Sequence, residues 1–246
     1  MKTCSSLTVA RLLQLFRSGS TTPAVVETHT GARFLLKFAA AGPGVRGLLT
    51  EFLATRIAGA LGLRVPPVRA MWLPPGFPWQ IGTDEFDDLV QRSAGWNLGI
   101  SMIDGARPLA ADELAALPAP FVRRLVVAGR LLQNVDRSLR NPNVLADATG
   151  ELWAIDFGAC LFLDRVLRGA VPSFGLVPDH MLRDTDVSPL AAAVVVRRLP
   201  DVETLSDWLA EVPDEWLAGV PLPRDVLAQA VVDYLAVGVR ALETSP

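Results

Sequence analysis

This chain passes from a strand-rich half to a helix-rich half near Asp104-Gly105, and that change restricts the fold more than any other feature. Before it, short apolar runs of β-forming residues are separated by Gly, Pro and hydroxyl-bearing turns, the pattern of strands. Residues 9–16 and 23–28 read as two strands joined by Arg17-Ser18-Gly19-Ser20-Thr21-Thr22, and Ala32–Phe38 follows His29-Thr30-Gly31 as a third, so that the three form a meander. Gly42-Pro43-Gly44 makes a linker, and residues 48–61 read as a helix stopped by Gly62, with Leu48, Phe52, Ile57 and Leu61 on one face. Val68–Leu73 is extended, residues 82–97 are expected to be a solvated loop or short helix, and Leu98–Ile103 a further strand. After residue 104 the pattern is helical over 111–117 and 119–133. A polar segment, Asn134–Asn143, leads into two short strands, Val144-Leu145 and Trp153–Ile155, flanking the turn Ala148-Thr149-Gly150. From about Pro178 the chain is helical with proline breaks. The expected class is α+β, with a β-rich lobe over residues 1–103 and a helical lobe over 104–246.

Composition narrows the function classes. Half of the 246 residues are hydrophobic, 20% are charged and the formal net charge is −3, which describes a globular protein without the basic field that nucleic acid would select. Arg123, Arg124, Arg130, Arg137 and Arg140 could still form a local basic patch, read as a solvated helix face plus phosphate contacts. Cys4 and Cys160 are the only cysteines, too few for a disulfide framework, so a reducing cytosol is the default. With His29 and His180 the only histidines, a Cys/His metal site is not expected. Arg11 and Gln14 interrupt the first apolar run, so no signal peptide is read there, and no run reaches the roughly 18 apolar residues of a membrane span. The Ala, Arg, Leu, Val and Pro bias suggests a high-GC bacterial source.

The chemistry-bearing residues lie in Asn134-Val135-Asp136-Arg137-Ser138-Leu139-Arg140-Asn141-Pro142-Asn143 and in Ile155-Asp156-Phe157-Gly158. Asp136 precedes Asn141 by five positions, and Asp156 follows a short hairpin. Phosphoryl transfer from ATP requires such a set: one carboxylate to orient the acceptor hydroxyl, and an amide oxygen and a second carboxylate to hold Mg²⁺ against the phosphates. Taken singly these residues also start turns and cap helices, and their order around a hairpin is what favours the functional reading. Asn143 competes with Asn141 for the metal; the spacing favours Asn141 and leaves Asn143 to turn the loop. Asp147, Asp164 and Asp186 read as surface groups, and Cys160 as a small buried hydrophobe.

This stretch resembles the catalytic loop and metal-binding Asp-Phe-Gly of kinases. An Asn-Val-Asp-Arg run in place of His-Arg-Asp is similar to HipA-like kinases and to the phosphatidylinositol 3-/4-kinase-like group, and the short bacterial HipA-like kinases fit best. Phe34-Leu35-Leu36-Lys37-Phe38 resembles their lysine-bearing strand, and Thr50–Ala54 through Ala60–Pro67 their following helix and turn. The resemblance spans roughly residues 18–160 and implies a bilobal protein-kinase-like fold with ATP between the lobes. It implies that Lys37 contacts the α- and β-phosphates and pairs with Glu51, which also suits a helix N-terminus. Asp136 would orient the hydroxyl, and Asn141 and Asp156 would hold magnesium. Ser18, Gly19, Ser20 and Thr21 would supply the phosphate loop. Met102 and Ile103, next to Asp104, would contact adenine as the hinge, with Trp72 and Leu73 as the alternative. The chain is shorter than the full-length HipA toxins, whose extra N-terminal subdomain is not expected here. The acceptor, a protein or small-molecule hydroxyl, is not identified by any motif. The alternatives are a nucleotide-binding pseudokinase acting as an interaction module, motivated by a first hairpin with Gly19 as its one glycine, and transfer of AMP on the same fold.

Overall fold

The computed structural model describes residues 7–16, 22–78 and 84–244. Contacts divide the chain into two units: residues 1–52, 67–102 and 211–219 form the first, and 53–66, 103–210 and 220–246 the second.

The first unit is built on a five-stranded antiparallel sheet, ordered β1-β2-β3-β5-β4, from β1 (Val9–Leu15), β2 (Ala24–Thr28), β3 (Arg33–Lys37), β4 (Val68–Leu73) and β5 (Gly95–Ser101). The turn between β2 and β3 closes through Gly31 at φ +80, a conformation glycine adopts without steric cost. β3 lies between β2 and β5, and its Lys37 is opposite Leu98. One sheet face carries Val9, Leu12, Val26, Phe34, Leu36, Met71 and Leu73 into a core completed by Phe38, Phe77, Phe86 and Val90. Phe38 and Phe86 meet edge to face at 5.8 Å. Gly99 is required at its position: a β-carbon there would lie 2.0 Å from the Met71 Sδ.

Residues 84–97, read as a solvated loop or short helix, form α2 (Asp84–Arg92) and the start of β5. Phe86 and Val90, four apart, bury one face of α2, while Asp84, Glu85 and Asp87 in its first turn and Arg92 in its last complement the helix dipole. Asn97, fully buried, accepts from the Ala39 N–H at 2.8 Å and donates to the Ser93 and Gly95 carbonyls at 2.8 and 2.9 Å. That network anchors the chain leaving β3. α1 (Val45–Ala60) begins three residues earlier than its periodicity predicts and ends at Gly62. There the Leu63 N–H reaches the Ala58 carbonyl and the Gly62 N–H the Gly59 carbonyl, a Schellman stop. α8 (Asp214–Leu217) belongs to this unit, its Trp216 donating to the Trp96 carbonyl at 3.1 Å and packing edge to face on Phe52.

The second unit is helical around α4 (Ala119–Leu132), which buries eight residues from Phe121 to Leu132, and α9 (Arg224–Thr244). α9 presents Leu227, Ala228, Val231, Tyr234, Leu235, Gly238 and Leu242, spaced at helical period. A β-carbon on Gly238 would come within 2.5 Å of Leu131 and 2.7 Å of Phe174, so glycine sets the approach of α9 to both. α3 (Ala111–Ala115), α5 (Phe162–Leu167), α6 (Pro189–Val196) and α7 (Val202–Ala210) complete the helices. A small sheet orders β6 (Arg107–Pro108), β7 (Val144–Ala146) and β8 (Leu152–Ala154). Neither α5 nor β6 was predicted. Among the described residues no helix is long and apolar enough to cross a membrane.

Asp147 is not an idle surface group. Its carboxylate accepts from the Thr149 N–H and Oγ1, the Glu151 N–H and the Trp153 Nε1, at 2.6–3.0 Å, and so shapes the β7–β8 turn. Those donors hold its pKa well below the usual carboxylate range, the Thr149 hydroxyl first.

Candidate active site

In the first unit, Lys37 ends β3 and Glu51 lies on the second turn of α1. Lys37 Nζ is 2.7 Å from the Glu51 carboxylate, and the two residues are 7% and 2% exposed. Leu36 and Phe38 belong to the core on one face of the sheet, and Lys37 is buried on the other, where an ammonium needs a carboxylate. Glu51 is not at a helix N-terminus: α1 starts at Val45 and has no acidic residue in its first turn. Its position answers to Lys37 rather than to the dipole. Ser18, Gly19, Ser20 and Thr21 lie outside the described residues. Met102, which belongs to the first unit, is exposed and donates its N–H to the Arg33 carbonyl at 3.3 Å, while Ile103 belongs to the second unit and is half-buried. Of the alternative hinge pair, Trp72 stacks edge to face on Trp96 and Leu73 is in the core.

The second unit holds Asp136, Asn141 and Asp156. α4 ends at Gln133, in the left-handed region at φ +51, and the chain turns into an extended segment that bridges Asn134 to Cys160. The Asn134 Oδ1 accepts from the Asp136 N–H at 3.0 Å, an Asx turn that sets the direction of the loop. Reciprocal backbone bonds between Ser138 and Asn141, at 3.1 and 3.2 Å, close a tight turn. That turn returns Asn141 to Asp136, whose Oδ1 accepts from the Asn141 Nδ2 at 3.0 Å. With its nitrogen committed, Asn141 has its amide oxygen as the group left to bind a cation. Asn143, at φ +51, donates its Nδ2 to the Asp136 carbonyl at 2.7 Å. It turns the loop, as the spacing argument expected.

Asp156 follows β8 at φ +56. Aspartate tolerates this region better than most residues, yet strain of this kind costs on the order of 1 kcal/mol and persists only where the surroundings impose it. Here both flanks are fixed: the Ile155 N–H bonds the Asn143 carbonyl at 3.0 Å, and Phe157 is buried.

Arg137 is the residue that pattern reading missed. It is not part of a basic patch: it is 1% exposed, and its guanidinium lies 5.2 Å from the centre of the Phe157 ring. Nη1 donates to the Pro142 and Asn143 carbonyls at 2.7 and 2.8 Å, and Nη2 to the Ile155 carbonyl at 3.0 Å. Burial lowers its pKa to about 10, against the attraction of Cys160, Asp156 and Asp136, so it remains a cation at neutral pH. Arg130 likewise turns inward, donating to the Phe174 carbonyl at 2.7 Å. Buried His180 accepts from the Leu182 N–H on Nδ1, and burial together with the Arg137 charge holds its pKa down at about 4. Cys160 is buried, as expected. Among the described residues no group of three or more His, Cys, Asp or Glu converges on a common point.

A strand-borne lysine paired to a helical glutamate, an Asp–Asn loop and an aspartate after a hairpin define a kinase-like protein, and comparison with solved structures agrees on the fold. The chain is similar to the Helicobacter pylori proinflammatory kinase CtkA, with a TM-score of 0.55 and 14% identity over 91% of this chain and 95% of that one. A weaker likeness is to the Golgi casein kinase, with a TM-score of 0.47 and 9% identity over 96% of this chain and 72% of that one. No protein of curated function matches the sequence. The sequence profile of the HipA-like kinases matches residues 9–236, and the chain belongs to that family of phosphotransferases. The match extends well past residue 160, into the C-terminal third, where no motif had been read.

Proposed function

We propose that the chain is an ATP- and Mg²⁺-dependent kinase that transfers the γ-phosphoryl group to a hydroxyl of a protein or a small molecule. The observation that carries the reading is the 3.0 Å bond from Asn141 Nδ2 to Asp136 Oδ1. It orients the Asn141 oxygen for a cation while one Asp136 oxygen is free of that bond and can meet an acceptor hydroxyl. Asn141 and Asp156 offer one amide oxygen and one carboxylate. Such a hard, sparse donor set suits Mg²⁺, which keeps several waters and takes few protein ligands. The metal, when bound, neutralises phosphate charge. Lys37, held by Glu51, contacts the α- and β-phosphates. Ser18, Gly19, Ser20 and Thr21 supply the phosphate loop, and Met102 and Ile103 the hinge. A cytosolic setting follows from the sparse cysteines.

The test is ATP-induced thermal stabilisation, with and without Mg²⁺, of wild type and Asp156→Asn, which keeps the left-handed preference of the position. At 100 times Kd, a ligand stabilises by about 2.7 kcal/mol, roughly 5–10 °C for a chain of this size. Wild type should show a shift of this order that requires Mg²⁺, and Asp156→Asn should lose the metal requirement. Absence of any shift with millimolar nucleotide would sink the reading. Intact-mass analysis of the product separates phosphoryl from adenylyl transfer.

A further inference from the structure

We propose that Arg137 is a positioning residue that sets the separation of the two metal ligands, an inference that rests on the kinase reading above. Its three acceptors are not scattered. Pro142 and Asn143 directly follow Asn141, and Ile155 directly precedes Asp156. One rigid guanidinium therefore ties the backbone beside one proposed ligand to the backbone beside the other, across the 12 residues of sequence that separate Pro142 from Ile155. The Ile155 N–H to Asn143 carbonyl bond, at 3.0 Å, runs parallel to this tie. The Asn143 carbonyl thus accepts from both, using both of its lone pairs. The residue is also held elsewhere: its guanidinium lies over the Phe157 ring, 5.2 Å from the ring centre, and its main-chain carbonyl accepts from the Met181 N–H at 2.9 Å.

The tie requires arginine. Two separate nitrogens in one plane reach two chain segments, whereas the lysine ammonium is a single point on a flexible stem. An arginine there purely for stability would be unusual, because a buried cation facing neutral carbonyls is costly compared with an apolar side chain. Its charge is attracted by both Asp136 and Asp156. Outer groups that orient metal ligands typically govern affinity or activity by about 10–100-fold.

The experiment titrates Mg²⁺ at fixed, saturating AMP-PNP and reads the nucleotide-dependent rise in Tm for wild type and Arg137→Lys. The half-saturating Mg²⁺ concentration should rise about 10–100-fold in the variant, with metal-free nucleotide binding unchanged. A residue with a merely structural role would lower the Tm of the free protein and leave the Mg²⁺ midpoint at its wild-type value, and that result overturns the inference while the kinase reading stands. If wild type itself shows no Mg²⁺-dependent rise, the kinase reading fails and the inference falls with it. Should Arg137→Lys not fold, Arg137→Met, which buries no charge, supplies the same comparison with the same two outcomes.

Discussion

The Lys37–Glu51 pair offers a stability test that does not depend on an acceptor. Both side chains are almost wholly withdrawn from water and meet at 2.7 Å within the first unit. Truncating one partner deprives the other of this close opposite charge, which costs about 3–5 kcal/mol, whereas replacing both by apolar residues of similar volume is often neutral or stabilising. Glu51→Leu and Lys37→Met should therefore each lose about 3–5 kcal/mol, a large share of the roughly 5–15 kcal/mol that holds a typical domain together. The double variant should return to within about 2 kcal/mol of wild type, a coupling well beyond the 0.5–3 kcal/mol usual for contacting pairs. Urea unfolding followed by tryptophan fluorescence is the assay, since Trp72, Trp96 and Trp216 all belong to this unit. Phosphoryl transfer should be lost in all three variants, because the apolar pair restores the fold and not the phosphate contact. A double variant as unstable as the sum of the singles would refute the reasoning, for each charge would then be balanced by something other than its partner.

Gly99→Ala should destabilise the first unit by about 1–3 kcal/mol through overpacking against Met71, lowering Tm by roughly 2–12 °C. Adding Met71→Ala should make the pair less destabilising than the sum of the two changes, and strict additivity would show that the crowding lies elsewhere. His180 predicts a pH dependence. Its pKa falls from 6.5 to about 4 on folding, so the unfolded state binds more protons between these values and stability rises with pH across that window. The contribution is complete above pH 6.5 and is lost as pH falls to 4, a change of up to about 3 kcal/mol. In His180→Asn, which keeps an acceptor for the Leu182 N–H, that slope between pH 4 and 6.5 should flatten; an unchanged slope would assign it to another group.

The division of legible from illegible features follows a physical line. Strands β1 to β4, the later part of β5 and the helix after Lys37 were readable because their apolar residues fall in runs or periods bounded by turn residues. Lys37 stood out for a related reason: its apolar flanks, Leu35, Leu36 and Phe38, favour a strand buried on both faces, and a buried cation demands a partner. Glu51 was found for one right reason and one wrong one, since α1 begins six residues before it and the dipole has no part in its placement. Asp147 could have been recognised, because Asp-Ala-Thr-Gly carries the signature of an Asx turn closed by glycine. α5 is short, and its apolar run after Asp-Phe-Gly has no period to separate helix from strand. The return of residues 211–219 to the first unit rests on Trp216 reaching the Trp96 carbonyl, a contact across 120 positions with no local trace.

Arg137 marks the limit most clearly. In a polar run of Asp, Arg, Ser and Asn an arginine reads as solvated, and by composition that is the correct default. What buries it is a set of three main-chain carbonyls, and carbonyls are common to all residues, so no substitution pattern within a single sequence distinguishes the ones that are used. Asp136, Asn141 and Asp156 stand out in the sequence because the chemistry proposed for them lies in their side chains. The group proposed to space them acts on backbone, and becomes visible only when the loop and the strand end have been brought to two nitrogens of one guanidinium. In a site of this kind the reacting groups can be read from residue type, while the geometry that tunes them must be read from the fold.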